Sequence, residues 1–200
     1  MTLINKLSLA AAGALLALSA QAAVKVGEPA PAFSLPGDDG KTHALTDFKG
    51  RTVVLEWTND GCPFVKKHYA GNMQGLQKTY TAKDVVWLSV ISSAAGKQGH
   101  VDAAGAKALS KSRGAAPTAV LLDEKGTVGR LYDAKTTPHM YVIDGKGTLV
   151  YAGGIDSVAS ADAGDIPGAT PYVKNALDEV LAGKPVTVAT TKPYGCSVKY

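Results

Sequence analysis

The feature that most constrains this chain is the stretch Arg51–Tyr69. A run of strand formers, Thr52-Val-Val-Leu-Glu-Trp57, leads through Thr58-Asn-Asp-Gly61 into Cys62-Pro63 and then a helical segment. Proline is favoured in the first turn of a helix, which places Cys62 at or just before a helix N-terminus. Free backbone N–H groups and the positive end of the helix dipole favour an anion there, and a thiolate is an anion. A thiol with a pKa near ~8.5 is only slightly ionised at neutral pH. The helix terminus, with Lys66 a turn away, is expected to raise the nucleophilic fraction. On these residues alone, an inert buried cysteine or half of a structural disulfide stays equally open.

The first residues carry a positive Lys6, an apolar run Leu7–Leu18 and an Ala20-x-Ala22 pattern, which together read as a secretory signal peptide cut after Ala22. The apolar run is well short of the roughly 20 residues a membrane span needs, so stable membrane insertion is not expected. A periplasmic or secreted location follows. Residues 23–200 suffice for one domain with a proper core. The net charge of +4 comes without a basic cluster, which argues against nucleic acid as a partner. Cys62 and Cys196 are the two cysteines, and in an oxidising compartment a pair tends to become a disulfide.

Along the chain, the prolines of residues 24–36 exclude a helix. Residues 33–45 suit a small hairpin. Val53–Trp57 and Val85–Ile91 are apolar, β-branched runs typical of buried parallel strands. Val65, Tyr69, Met73 and Leu76 recur at helical spacing and predict one helix over 63–80, with Lys66 and Lys67 on outer faces. A weaker helix is expected over 100–113, a strand over 119–122 and a short helix over 127–132. Met140–Ile143 and Thr148–Tyr151, joined by Asp144-Gly-Lys-Gly147, form a strong hairpin signal. A last helix, Tyr172–Leu181, stops at Gly183 and Pro185. The expected fold class is α/β, a central mixed sheet flanked by helices, with an extended C-terminal tail. The expected organisation is a signal peptide over 1–22, a domain over 23–185 and a tail over 186–200.

Strand, Cys-Pro, helix, strand, helix, then Thr137-Pro138 before a strand, hairpin and helix resembles the thioredoxin-like fold. Gly27-Glu-Pro-Ala-Pro-Ala-Phe-Ser-Leu35 with Asp39-Gly40 resembles the redoxin (AhpC/TSA) branch. Cys62–Lys66 and Gly195–Lys199 resemble motifs of its peroxiredoxin-like group. The resemblance implies a redox-active Cys62, with Thr137 and a cis Pro138 facing it and holding substrate by backbone hydrogen bonds. His139, beside that proline, is a candidate base or substrate contact. His68, further along the helix, points elsewhere.

The resemblance also implies Cys196 as a resolving cysteine that closes a Cys62–Cys196 disulfide. The same bridge as a staple closes a loop of over a hundred residues, worth about 5 kcal/mol by chain entropy. The departures are specific. Val65 stands where a Cys-x-x-Cys exchanger has its second cysteine. Leu55 and Asn59 stand where a peroxiredoxin has proline and Thr or Ser. The peroxiredoxin arginine falls near Pro138 and is missing there, which leaves Arg113 or Arg130 to substitute through space.

The expectation is a thiol oxidoreductase without an organic cofactor or metal. Its substrate is a peroxide or a protein or small-molecule disulfide, and its partner an external thiol reductant. The alternatives are a disulfide exchanger without peroxidase activity, and a non-enzymatic binding or metal-delivery module with a structural bridge.

Overall fold

A computed structural model describes residues 24–200; the expected signal peptide lies outside the described residues. The chain opens with a hairpin of β1 (Ser34–Pro36) and β2 (Thr42–Ala44). Strand β3 (Val53–Trp57) leads to α1 (Pro63–His68), α2 (Asn72–Thr81) and β4 (Val86–Ile91). Helix α3 (Ala103–Ser112), β5 (Ala119–Leu122) and α4 (Thr127–Leu131) follow, then β6 (Thr136–Thr137), β7 (His139–Ile143) and β8 (Leu149–Gly153). Helix α5 (Tyr172–Leu181) and a two-residue β9 (Cys196–Ser197) complete the order.

Five strands form one sheet in the order β5-β4-β3-β7-β8. β3, β4 and β5 run parallel, and β7 and β8 add antiparallel on the other side. This is the mixed sheet expected. As the central strand, β3 is buried on both faces, which explains its nearly unbroken apolar run. Val53, Leu55 and Trp57 join a core that takes in Leu88, Tyr132 and Tyr141 beneath α4 and the β1–β2 hairpin. Val54 faces the opposite core, with Trp87, Met140 and the inner sides of α2 and α5. Each such aliphatic side chain contributes about 1.5–3 kcal/mol by leaving water.

The pleat sends Glu56 into the second face, where no charge is expected. Its carboxylate accepts hydrogen bonds from Tyr69, Trp87, Ser89 and Gln77 at 2.8–3.1 Å. Burial nevertheless pushes its pKa up.

The single helix expected over 63–80 is two. Gly71 has φ +131°, a conformation that L side chains rarely adopt, and it ends the first helical run. Gln74 seals the break: Oε1 accepts from Gly71 N, and Nε2 donates to the Tyr69 carbonyl at 2.6 Å. The break shortens α1 and changes its facing. Lys67, expected on an outer face, is buried.

After α5 the tail runs along the free edge of β8, where Thr191 N donates to Ala152 O and Ala152 N to Ala189 O. An exposed strand edge is thereby covered. The tail then crosses to β6 and α4. No helix among the described residues is long and apolar enough to cross a membrane.

Candidate active site

The loop between β3 and α1 is shaped by Asn59. Its Oδ1 accepts Gly61 N at 2.8 Å, an asparagine turn closing on its own backbone. Its Nδ2 donates to Gln98 O, and Gln98 Nε2 donates back to Gly61 O. The residue at the peroxiredoxin Thr/Ser position thus braces the loop after β4 against the loop that carries the cysteine.

Cys62 is fully buried immediately before Pro63, the first residue of α1. Protonated, its Sγ donates to the Thr137 carbonyl at 3.1 Å, and the Thr137–Pro138 peptide is cis. Thr137 in turn pairs with Cys196 across β6 and β9. The structure therefore brings Cys62, Thr137, Pro138 and Cys196 together. Both cysteines are free thiols.

Burial alone would raise the Cys62 pKa. Hydrogen bonding from the Cys196 thiol, the N–H groups of Val65 and Cys196, and the Thr137 side chain outweighs it, so the net shift is downward. Thr137 Oγ1 is buried without another hydrogen-bond partner, which leaves it free to turn to the sulfur. Cys196 shifts the other way. Burial, its hydrogen bond to Cys62 and the charge there push it up to about 11, with Lys199 opposing. Of the two thiols, Cys62 is therefore the one that ionises first. Lys66 is exposed and is not among the groups that shift Cys62. The help expected from Lys66 comes instead from the tail and the backbone.

Gly195 explains how the tail comes so close. It has φ +135°, and a Cβ there would strike the Thr137 carbonyl oxygen. Any other residue would push Cys196 away from Cys62.

Two further anchors flank Cys196. Upstream, Tyr194 lies edge-on to Phe64, with ring centres 5.9 Å apart, and its hydroxyl donates to the Asp156 carboxylate. His68 Nδ1 accepts from Asn72 and its Nε2 lies 2.9 Å from Tyr194 Oη, so Nε2–H donates to Tyr194. Burial lowers the His68 pKa to about 4, with Asp156 opposing, and the ring is neutral. Lys67 Nζ donates to Val158 O at 2.9 Å and lies 3.9 Å from Asp156 Oδ2. Downstream, Tyr200 seats its ring beside α4 with the Arg130 guanidinium 4.4 Å from its centre.

His139 Nδ1 accepts from Lys135 N and meets Tyr141 Oη, and the rings of His139 and Tyr141 lie with centres 4.5 Å apart and planes tilted by 39°. Burial lowers its pKa to about 4. Its hydrogen bonds are to neighbours in the chain rather than to Cys62. Arg113 pairs with Asp60 and stacks on Tyr69, and Arg130 is engaged with Tyr200. Neither guanidinium is among the groups acting on the Cys62 sulfur. Among the described residues, no three His, Cys, Asp or Glu side chains converge as metal ligands.

The Tyr194–Asp156–Lys67–His68 cluster was not visible in the sequence as a unit. The one signal available was Gly195, a glycine that a tail needs only when it approaches another backbone closely.

Residues 26–152 match the AhpC/TSA family. The chain belongs to the AhpC/TSA family. The matched span holds Cys62, Thr137 and Pro138 and stops short of the tail. An uncharacterized conserved protein from Geobacillus kaustophilus is 28% identical, with a TM-score of 0.74 over 88% of this chain and 92% of that one. A hypothetical protein from Sinorhizobium meliloti 1021 is 23% identical, with a TM-score of 0.75 over 89% and 96%. A putative thiol:disulfide interchange protein DsbE from Chlorobium tepidum is 25% identical, with a TM-score of 0.53 over 80% and 98%. No curated protein matches the sequence. This AhpC/TSA chain therefore has the thioredoxin-like fold that its Cys-Pro and Thr-Pro elements suggest.

Proposed function

We propose that the protein is an exported two-cysteine thiol–disulfide oxidoreductase, with Cys62 as nucleophile and Cys196 as resolving cysteine. The observation that carries this reading is the register of β6 and β9, which sets Cys196 opposite Thr137, whose carbonyl contacts Cys62 Sγ. The Cys62 thiolate attacks one sulfur of a substrate disulfide, forming a mixed disulfide and releasing the other sulfur as a thiolate. The Cys196 thiol then loses its proton and attacks Cys62 Sγ, forming the Cys62–Cys196 bond and releasing the second substrate thiol. An external dithiol resets the pair, itself becoming a disulfide.

Burial keeps the Cys196 pKa up, and capture of Cys62 removes the two further contributions, the hydrogen bond to Cys62 and its charge. The resolving thiol thus becomes easier to ionise at the step that needs it. Disulfide exchange is favoured over fast peroxide reduction because Arg113 and Arg130 are both engaged elsewhere. A peroxide reading keeps one supporting observation, the complete burial of Cys62, which suits a small oxidant. In that case Cys62 becomes a sulfenic acid, the peroxide leaves as alcohol or water, and Cys196 expels water as the bridge forms. Export rests on residues 1–22, and N-terminal sequencing of the mature chain checks the cut after Ala22.

The test is turnover of a model disulfide and of hydrogen peroxide with dithiothreitol as reductant. Cys62→Ser is expected to abolish turnover. Cys196→Ser is expected to leave a mixed disulfide on Cys62, visible by intact mass. Undiminished turnover in Cys62→Ser would sink the reading. A bridge that resists dithiothreitol, with both variants changing stability alone, would establish a staple instead.

A further inference from the structure

The tail leaves unexplained why its last residue has a seat of its own. The Tyr200 ring lies against two buried glycines of the α4 turn. A Cβ on Gly126 would strike Tyr200 Cδ1, and one on Gly129 would come within 2.5 Å of its hydroxyl and 2.6 Å of Cε1. Arg130 covers the ring, and the Tyr200 hydroxyl donates to Ala134 O at 2.8 Å. The seat does not depend on the tail for its shape. Buried Asp123 accepts Val128 N and Gly129 N, and Ser92 Oγ donates to Asp123 at 2.6 Å. Trp57, at the end of β3, donates to Ser92. The cradle is thus fixed from the core outward.

The rest of the tail binds as an extended strand. Val198 N donates to Lys135 O and Ala94 N donates to Lys199 O, in line with the Thr136–Ser197 and Thr137–Cys196 pairs. Ser197 points out to solvent. Lifting this strand would open buried Cys62 to a disulfide too large to reach it directly. The vacated groove then presents the Lys135 carbonyl, the Ala94 N–H and an empty aromatic seat. An incoming strand with a cysteine at the same register meets each of them.

We propose that the Gly126/Gly129 cradle is a side-chain pocket for an aromatic residue four positions after the cysteine of an extended polypeptide substrate, and that the tail is its competing occupant within the chain. The proposal deepens the exchange reading by naming its substrate class. Because the tail is tethered, it competes at a high effective concentration, and a free peptide binds well only when the tail's hold is weakened.

The test is fluorescence anisotropy with two labelled peptides, YGSSVKY and YGSSVKA, in which serine replaces the cysteine so that binding is independent of thiol chemistry. They are titrated with the full chain and with its Tyr200→Ala variant. The variant is expected to bind YGSSVKY at least tenfold tighter than the unaltered chain does, and about tenfold tighter than it binds YGSSVKA. Adding Gly129→Ala, which fills the cradle, is expected to erase the preference between peptides. Should that variant not fold, Arg130→Ala serves and is expected to reduce the preference. Equal binding of both peptides by Tyr200→Ala overturns the pocket. Equal binding of YGSSVKY by the unaltered and Tyr200→Ala chains overturns the competition. A preference that persists while Cys62 proves unreactive upholds the pocket and removes the exchange reading alone.

Discussion

At Cys62 the deciding physics is competition between burial and hydrogen bonding. A fully buried thiol should hold its proton, since desolvation disfavours the charged form. Here the Cys196 thiol and the backbone N–H groups of Val65 and Cys196 supply donors that reverse the sign. The tail therefore favours ionisation of Cys62 more than the charged side chain a turn away does. Replacing Cys196 by alanine removes the principal donor while leaving Pro63 and α1 intact. The pH at which Cys62 alkylation reaches half its maximal rate is expected below the ordinary thiol range in the native chain. In Cys196→Ala it is expected to move up. Site-resolved mass analysis of iodoacetamide labelling reads both, and an unchanged midpoint would assign the shift to the helix terminus alone.

At the scale of elements, the site is a joint between α1 and the tail. Helix α1 begins just after Cys62 and ends with Lys67 and His68, which reach Tyr194, two residues before Cys196, and Asp156 in the loop after β8. Lys67 and Asp156 are both nearly inaccessible, and Asp156 Oδ2 accepts no hydrogen bond. A buried ammonium stripped of its counter-charge costs about 3–5 kcal/mol. Asp156→Asn should approach the lower end of that range in urea unfolding of the reduced chain, because Lys67 keeps its bond to Val158 O. It should also slow closure of the Cys62–Cys196 bridge. Loss of less than about 0.5 kcal/mol would place the joint's strength in the aromatic contacts instead. This joint also marks where sequence reading stopped. β3, β4, the β7–β8 hairpin and α5 were legible because their apolar periods match a sheet or a helix face. That Thr137, Pro138 and Cys196 lie beside Cys62 was implied by the family resemblance and by no local pattern. Lys67 was read as outward because one continuous helix was assumed, and Gly71 turns that helix. Glu56 hid inside an apolar run, since its four hydrogen-bond partners lie up to 33 residues away. The seat of Tyr200 depends on contacts between α4 and the tail that no local pattern encodes.

Over the whole molecule, the same burial that builds the site makes stability depend on acid. His68, at the end of α1, and His139, at the start of β7, are each buried and each have a pKa lowered to about 4. An unfolded histidine titrates near ~6.5. Between these values the unfolded chain binds more protons than the folded one, so stability falls as pH drops from about 6.5 towards 4 and the loss is complete below it. Each histidine accounts for at most roughly 3 kcal/mol of this loss. Glu56 acts with the opposite sign. Burial raises its pKa above the unfolded value, so its contribution is present at low pH and is lost as pH rises through the folded value. The acid limb should therefore belong to the histidines, with Glu56 partly offsetting it. Chemical denaturation between pH 7 and pH 4.5 is expected to show declining stability in the native chain. A shallower decline is expected in His68→Gln, which keeps a side-chain amide to bridge Asn72 and Tyr194 but cannot take up a proton in this range. If the slope is the same in both chains, acid sensitivity does not run through the joint. If the native profile is flat, neither histidine is held neutral by the fold.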